Sequence, residues 1–434
     1  MRRMAIVIVA GLLFGAVAAA ALAAHSAPGF DRLFGSAADQ SPAGVYTFNA
    51  ATNTLKNLIP GGSEREDIRW SPDGKWIASM NTDNFLVDVI PAAGGIRRAF
   101  ESIEWAPSGS RVAYAGRNGG LFAGPSTFTR GRLVAIGTGY DPIEWTTDGT
   151  AFVFGGGRSS SCCWRTLNVS RADGMGVRRL WAPPVTGRHD SWIDGAFWSP
   201  NGHQIAVAAT INNAVAADGG GEFLYLVSPR SGAARRVVYQ SDAGFSSWSG
   251  DGRWLILGSD TAMYRVTPAG GTVERLCRPC RSTTLSPDRS RAAFVADGGV
   301  WVVNVDGTGR RRIGDAPAAT EITWAPDGDE LGLTLRERDH DPGRIAVADL
   351  RTNSIRLLTH GRQDEVMIGL SSTGAYAAFF RLTPPSLWVI GADGAGARRA
   401  MTLATDKDLG PCPQVAWSPT APVLAIANAP CKPS

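Results

Sequence analysis

One pattern recurs nine times along this chain: apolar, any residue, Trp, small, Pro, Asp, Gly, then an apolar run. The clearest copies are Ile68-Arg69-Trp70-Ser71-Pro72-Asp73-Gly74, Ile103 to Gly109, Ala196-Phe197-Trp198-Ser199-Pro200-Asn201-Gly202 and Ile322-Thr323-Trp324-Ala325-Pro326-Asp327-Gly328. Looser copies centre on Trp145, Trp248, Leu285, Leu370 and Trp417. Between the Trp or equivalent Leu positions the spacings are 35, 40, 53, 50, 37, 39, 46 and 47 residues. Such a period implies a repeat architecture in which each repeat buries its apolar surface against the next. Solenoids of this period are mostly helical. Here Val, Ile and aromatic residues alternate over short runs broken by Gly and Pro, which is strand patterning. The 52 Gly, 26 Pro and charged fraction of 19% likewise favour turns between short strands.

The motif is a hairpin turn by its chemistry. Pro presets φ at the first central position, Asp or Asn bonds nearby backbone, and Gly accepts a positive φ. The Trp ahead of the turn fills the space between neighbouring repeats, burying apolar surface that contributes about 2 to 3 kcal/mol per copy. A second hairpin follows each first one, as in Trp301-Val302-Val303-Asn304-Val305-Asp306-Gly307 and Leu387-Trp388-Val389-Ile390-Gly391-Ala392-Asp393-Gly394. Four strands per repeat follow, and the expected fold is all-β: a β-propeller of about nine four-stranded blades. Eight is the alternative if one weak copy is an insertion. Gly44 to Asn49 with Leu55 to Ile59 reads as an outer hairpin without an inner one, and the Trp417 repeat as the reverse. Pairing of these N- and C-terminal hairpins completes one blade and closes the ring.

The units, Trp-Ser-Pro-Asp-Gly, an apolar strand, then a strand ending in Asp-Gly and Arg-Arg-Leu, resemble the propeller of the TolB family and its WD-type-like repeats over roughly residues 44 to 428. The resemblance implies the fold and a habit of binding proteins or envelope components. It carries no functional residue, because the motif residues are structural. The chain departs from TolB in showing no separate N-terminal α/β domain and more than six repeats.

Ahead of the repeats, Met1-Arg2-Arg3-Met4 and an apolar run from Ala5 to Ala24 ending in small residues match an export signal. The expected organisation is a signal peptide at 1-26, removed by cleavage, a linker at 27-43 and the propeller at 44-430. The expected location is secreted, or periplasmic and cell-envelope, with no membrane span after cleavage. A formal charge of +4 with scattered Arg gives no basic stripe, so nucleic acid is not an expected partner.

Function should concentrate where loop length varies. In an up-and-down four-stranded blade the loop after the second strand and the loop to the next blade share one face, and the tight turns take the other. The long irregular segments 155-163, 182-195, 209-221, 334-343, 359-366 and 403-414 all fall at those two loop types. Two are rich in chemistry, and their candidate binding residues are Arg188, His189, Asp190 and Asp194 in one and Arg336, Arg338, Asp339, His340 and Asp341 in the other. Imidazole and carboxylate are metal ligands, but the spacing is not diagnostic, so no metal and no cofactor are assigned. No Gly-x-Ser-x-Gly elbow appears and no room follows the last repeat for an α/β-hydrolase domain, so a serine peptidase is not expected. The chain thus reads as an exported, monomeric, non-enzymatic propeller that binds a protein or an envelope or glycan ligand through the long-loop face. The alternative is a hydrolase or lyase using carboxylate and His residues on that face, and no catalytic residue is named.

Six Cys in an exported chain point to disulfides. Cys412 and Cys431 flank the terminal hairpin symmetrically and are expected to pair across it. Cys277 and Cys280 can pair locally, and no βαβ context supports a redox role for them. Cys162 and Cys163 are left unassigned.

Overall fold

The structure, a computed structural model, describes residues 42–61, 65–137, 143–158, 164–184, 191–211, 221–237, 244–315, 319–338, 341–403 and 413–428. Among the described residues there is no helix, and the strands form seven sheets of four and one of eight. Each sheet is named here by its repeat residue. The Trp248 sheet is typical: Gly244–Trp248, Leu255–Ser259, Ala262–Val266 and Glu274–Cys277 lie side by side in chain order. The described residues divide into two compact units, one within 99–276, with the Trp105, Trp145, Trp198 and Trp248 repeats, and the other within 42–98 and 277–428.

In the first unit the Trp145 and Trp198 repeats share the eight-stranded sheet, where separate sheets of four were expected. The link is a single antiparallel pair, Trp164 with Ile193. Both strands involved, Trp164–Arg171 and Ser191–Trp198, are eight residues long, so they outrun their own sheets and meet. Apolar layers sit between consecutive sheets. Trp145, Phe152 and Phe154 pack with Ala113 and Leu121, and Trp248 and Leu255 pack with Ala206 and Leu224.

In the second unit the two ends of the chain share one sheet. Gly44–Asn49 pairs with Val423–Asn428 from Gly44 opposite Asn428 to Asn49 opposite Val423, with Thr54–Pro60 and Gln414–Trp417 outside them. The partial hairpins read from the sequence combine as expected. Cys277 and Cys280 are both buried and bonded, with Cα atoms 5.8 Å apart, closing a short loop ahead of the strand Arg281–Leu285. Cys162, Cys163, Cys412 and Cys431 lie outside the described residues, as do the expected signal peptide and nearly all of the linker.

The repeat Trp does more than fill space. In six repeats its indole N–H donates to the carbonyl of the residue just ahead of the repeat position in the preceding repeat, whereas the buried Trp105 Nε1 has no partner among the described residues. In the first unit Trp145 donates to Glu104, Trp198 to Glu144 and Trp248 to Phe197, each at 3.1 Å. In the second, Trp324 donates to Thr284 at 3.3 Å, and Trp417 to Gly369 and Trp70 to Ala416 at 3.0 Å. The first strands of consecutive sheets are therefore neighbours, tied through a buried donor that would otherwise cost about 1 to 3 kcal/mol.

Farther out, basic side chains on the fourth strand reach the last turn of the next sheet. Arg178 donates to Pro229 O and Arg235 to Ala269 O in the first unit; in the second, Lys56 donates to Ala93 O, Arg311 to Leu350 O and Arg356 to Ala392 O. A basic residue on the fourth strand is thus a tie between repeats at these five places.

The hairpin turn has its own network. In the Trp248 repeat Ser249 Oγ donates to Asp251 Oδ1 at 2.6 Å and accepts from Trp254 N at 2.9 Å, while Gly252 takes φ 70°. Ser71 with Asp73, Ser199 with Asn201 and Ser286 with Asp288 repeat it. In these four repeats the position read from sequence only as small is a buried hydroxyl that joins both sides of the turn, while Ala106 and Ala325 fill it in the Trp105 and Trp324 repeats.

Candidate functional site

Antiparallel register places the first residue of a repeat's first strand, the last of its second and the first of its third at the same end of the sheet. In the Trp324 sheet these are Ala319, Leu335 and Arg344, and in the Leu370 sheet Glu365 lies opposite Arg381. The Ser-Pro-Asp-Gly turns occupy the other end. Both sheets belong to the second unit, and their loop ends carry a contiguous group of charges.

Arg336 follows Leu335 directly and is held from two sides. Its Nη2 meets Asp364 Oδ1 at 2.7 Å and its Nη1 donates to the Asp341 carbonyl at 2.6 Å. Asp364 Oδ1 also accepts from Gly343 N at 2.8 Å, fastening the 336–343 loop to the strand that follows. Gly343 is needed there: a Cβ at that position would stand 2.2 Å from the Glu365 carbonyl oxygen. Glu365 is only 1% exposed and accepts from Arg381 Nε at 2.9 Å. The Arg381 guanidinium lies 3.6 Å from the centre of the Trp388 ring, so its charge is shared between a carboxylate and an aromatic face.

Glu321 sits on the first strand of the Trp324 sheet, opposite Thr334 and three residues before Trp324. Among the described residues it makes no hydrogen bond. Burial pushes its carboxyl up to about 7, against the pull of the Arg336 charge. That pull is blunted because Arg336 is already paired with Asp364. The result is a half-buried acid near equal protonation at neutral pH, beside a fixed cation.

The first unit shows a simpler case. Asp194 lies at the loop end of the Trp198 sheet, where its carboxylate accepts from Trp192 Nε1 at 2.8 Å and Thr210 Oγ1 at 2.9 Å. Burial raises its pKa, outweighing those two donors. The side chain itself keeps an exposed edge.

Of the residues expected from sequence, Arg336 and Asp341 are brought together through the Asp341 backbone, and Asp194 accepts from Trp192. Arg338 is exposed and its carbonyl accepts from Asp341 N at 3.0 Å. Arg188, His189, Asp190, Asp339 and His340 lie outside the described residues. Sequence reasoning missed Glu321, Asp364, Glu365 and Arg381. Asp364 and Glu365 fall in the long segment 359-366, which was a usable signal. Glu321 was hidden inside a repeat strand read wholly as core. Among the described residues no group of three or more His, Cys, Asp or Glu is placed to hold a metal ion.

The repeated antiparallel sheets and their structural likenesses define an all-β protein of the β-propeller class. The chain is similar to Porphyromonas gingivalis dipeptidyl peptidase 4 at a TM-score of 0.57 and 13% identity, covering 79% of this chain and 60% of that one. It therefore spans well under two thirds of that peptidase. It is similar also to a eukaryotic initiation factor at a TM-score of 0.51 and 13% identity, covering 83% and 96% of the two chains. A third likeness is to an oligogalacturonate lyase in complex with manganese, at 0.43 and 10% identity, covering 81% and 96%. No family model matches the chain and no curated protein sequence does. These likenesses establish the fold alone. They also correct one expectation: the non-enzymatic reading rested on the lack of a recognisable motif, whereas a protein similar in fold is a peptidase. Function resides in sites carried on a fold and brought together in space, so a missing linear motif is no argument against catalysis.

Proposed function

We propose that this chain is an exported propeller with TolB-like repeats that binds a polar ligand at the loop ends of the Trp324 and Leu370 sheets, where Glu321 exchanges a proton with it. The carrying observation is the Glu321 carboxyl, without a hydrogen-bond partner among the described residues and with a pKa of about 7. General acid and base groups work best when their pKa lies near the operating pH. A first strand tied to its neighbours holds the carboxyl rigidly, while Arg336 beside it supplies a fixed positive charge. Such an arrangement suits hydrolase or lyase chemistry on a glycan or peptide, both of which offer hydroxyl or amide protons.

The test is turnover and binding of glycan and peptide panels by the purified exported form, compared with Glu321→Gln. The reading expects a ligand whose conversion falls by about 100-fold or more in the variant, with a wild-type pH profile bending near 7. A ligand bound and converted equally well by both proteins overturns it.

A further inference from the structure

The outer ties described above use one register position. Arg178 lies opposite Val169, Arg235 opposite Leu226, Arg311 opposite Val302 and Arg356 opposite Val347, and each donates to a turn carbonyl in the next sheet. Arg398, opposite Val389, occupies the same position in the Leu370 sheet. The next sheet offers it a matching turn: Ala50-Ala51-Thr52-Asn53 parallels Leu350-Arg351-Thr352-Asn353, and Asn53 and Asn353 share left-handed φ values of 55° and 58°. Arg311 uses both the Leu350 carbonyl and Asn353 Oδ1 of its turn.

Arg398 does not make this tie. Its guanidinium lies 5.7 Å from the centre of the Tyr376 ring, and its Nε is buried with no hydrogen-bond partner. Among the described residues neither the rest of the guanidinium nor the Tyr376 hydroxyl makes a hydrogen bond. Both border an open depression whose other wall is the turn Gly391 to Gly396. The polar groups of that turn are largely engaged, Gly394 N donating to Gly391 O, Arg356 donating to Ala392 O, and Asp393 Oδ1 accepting from Ala395 N at 2.9 Å. The free donors facing the depression are the Arg398 guanidinium and the Tyr376 hydroxyl, with the Asp393 carboxylate as an acceptor on the other wall. A planar guanidinium fork matches the two oxygens of a carboxylate, and the phenol adds a third donor. The negative charge of Asp393 nearby disfavours a dianion, so a singly charged group fits better than a phosphate.

We propose that this depression is a binding subsite for a carboxylate carried by a small ligand, held by Arg398 and Tyr376, at the opposite end of the sheet from the Glu321 site. The carboxylate could belong to an amino acid or to a uronic acid, and N-acetylglycine and glucuronate, each singly charged, are the two probes. Calorimetric titration of the full purified chain should show saturable binding of one of them, with inorganic phosphate weaker. Arg398→Gln should weaken it about tenfold or more and Arg398→Lys by less, because lysine keeps the charge and loses the fork. Glu321→Gln should leave it unchanged, which separates this subsite from the acid-base reading. Melting of Arg398→Gln beside Arg311→Gln supplies the second measurement. Absence of saturable binding by either probe, binding unaltered by Arg398→Gln, or a loss of melting temperature equal to that of Arg311→Gln overturns the proposal; the last would make Arg398 one more inter-sheet tie.

Discussion

Carboxylates at the two ends of the repeat sheets are treated in opposite ways. At the turn ends, hydrogen bonds outweigh burial and hold Asp73, Asp251 and Asp288 below the usual carboxylate range, through Ser71, Ser249 and Ser286 respectively. Asp148 is lowered chiefly by Thr146. At the loop ends burial wins, and Asp194 and Glu321 are raised. The turn carboxylates are thus fixed anions that complete a local network, whereas burial outweighs the two donors at Asp194 and meets none among the described residues at Glu321. Glu330 marks the boundary of the rule: it stands near a turn but is raised, first by burial and then by the Asp327, Asp349 and Asp329 charges. Repetition of a motif therefore separates structural acids from those with chemistry to spare only when the donors around each are counted.

The strongest way to break this division is at the repeat Trp, which belongs wholly to the structural side. Trp324 is 4% exposed and donates to Thr284 O. Trp324→Ala should cost about 3 to 5 kcal/mol in denaturant unfolding, and a loss near zero would remove the repeat position from the core.

Next comes Glu321. Its folded pKa of about 7 exceeds the ordinary 4.5, so the folded state holds an extra proton between those values. The stability from that proton is fully present below the ordinary value and is lost as pH rises through about 7. Glu321→Gln should therefore stabilise the protein by about 2 to 3 kcal/mol above neutrality and do little in acid. Melting curves across pH read this directly; equal effects at both extremes would contradict the half-buried acid picture.

A smaller effect is expected at a turn. Ser249→Ala removes a donor to Asp251 and an acceptor for Trp254 N, and should cost about 1 to 2 kcal/mol. Asp251 has the opposite pH sign to Glu321. Its depressed pKa contributes stability that is present above the unfolded value and disappears as pH falls below the usual carboxylate range. Asp251→Asn should flatten that acid limb, and an unchanged limb would show that the turn does not favour the ionised form. The smallest change belongs to Arg338→Ala, at an exposed loop-end side chain, which should shift stability by less than about 0.5 kcal/mol in the same unfolding assay.

Much of the fold was legible because its causes are local and periodic. Pro and Gly at a fixed offset from Trp define a hairpin wherever they occur, and strand alternation around them gives four strands per repeat. Even the shared terminal sheet could be read, since two incomplete repeats have unpaired edges of complementary kind. The loop-end group was legible only in part. Arg336 and Asp341 stood in a conspicuous charged loop, but their partner Asp364 is more than twenty residues on and meets Arg336 only when the next strand is in place.

Sequence alone therefore determined the elements, the turn chemistry and the terminal pairing, because each follows from residues a few positions apart or from a regular period. Tertiary structure decided the rest. Whether a Glu in a repeat strand is an ionised surface group or an acid near pKa 7 depends on how much water the next strand and loop exclude and on whether Arg336 is already engaged. Likewise Arg311 and Arg398 share a register position, and only the packed chain shows that one ties two sheets while the other keeps its donors. Desolvation and hydrogen-bond satisfaction are properties of a packed environment, and no residue carries them in its identity.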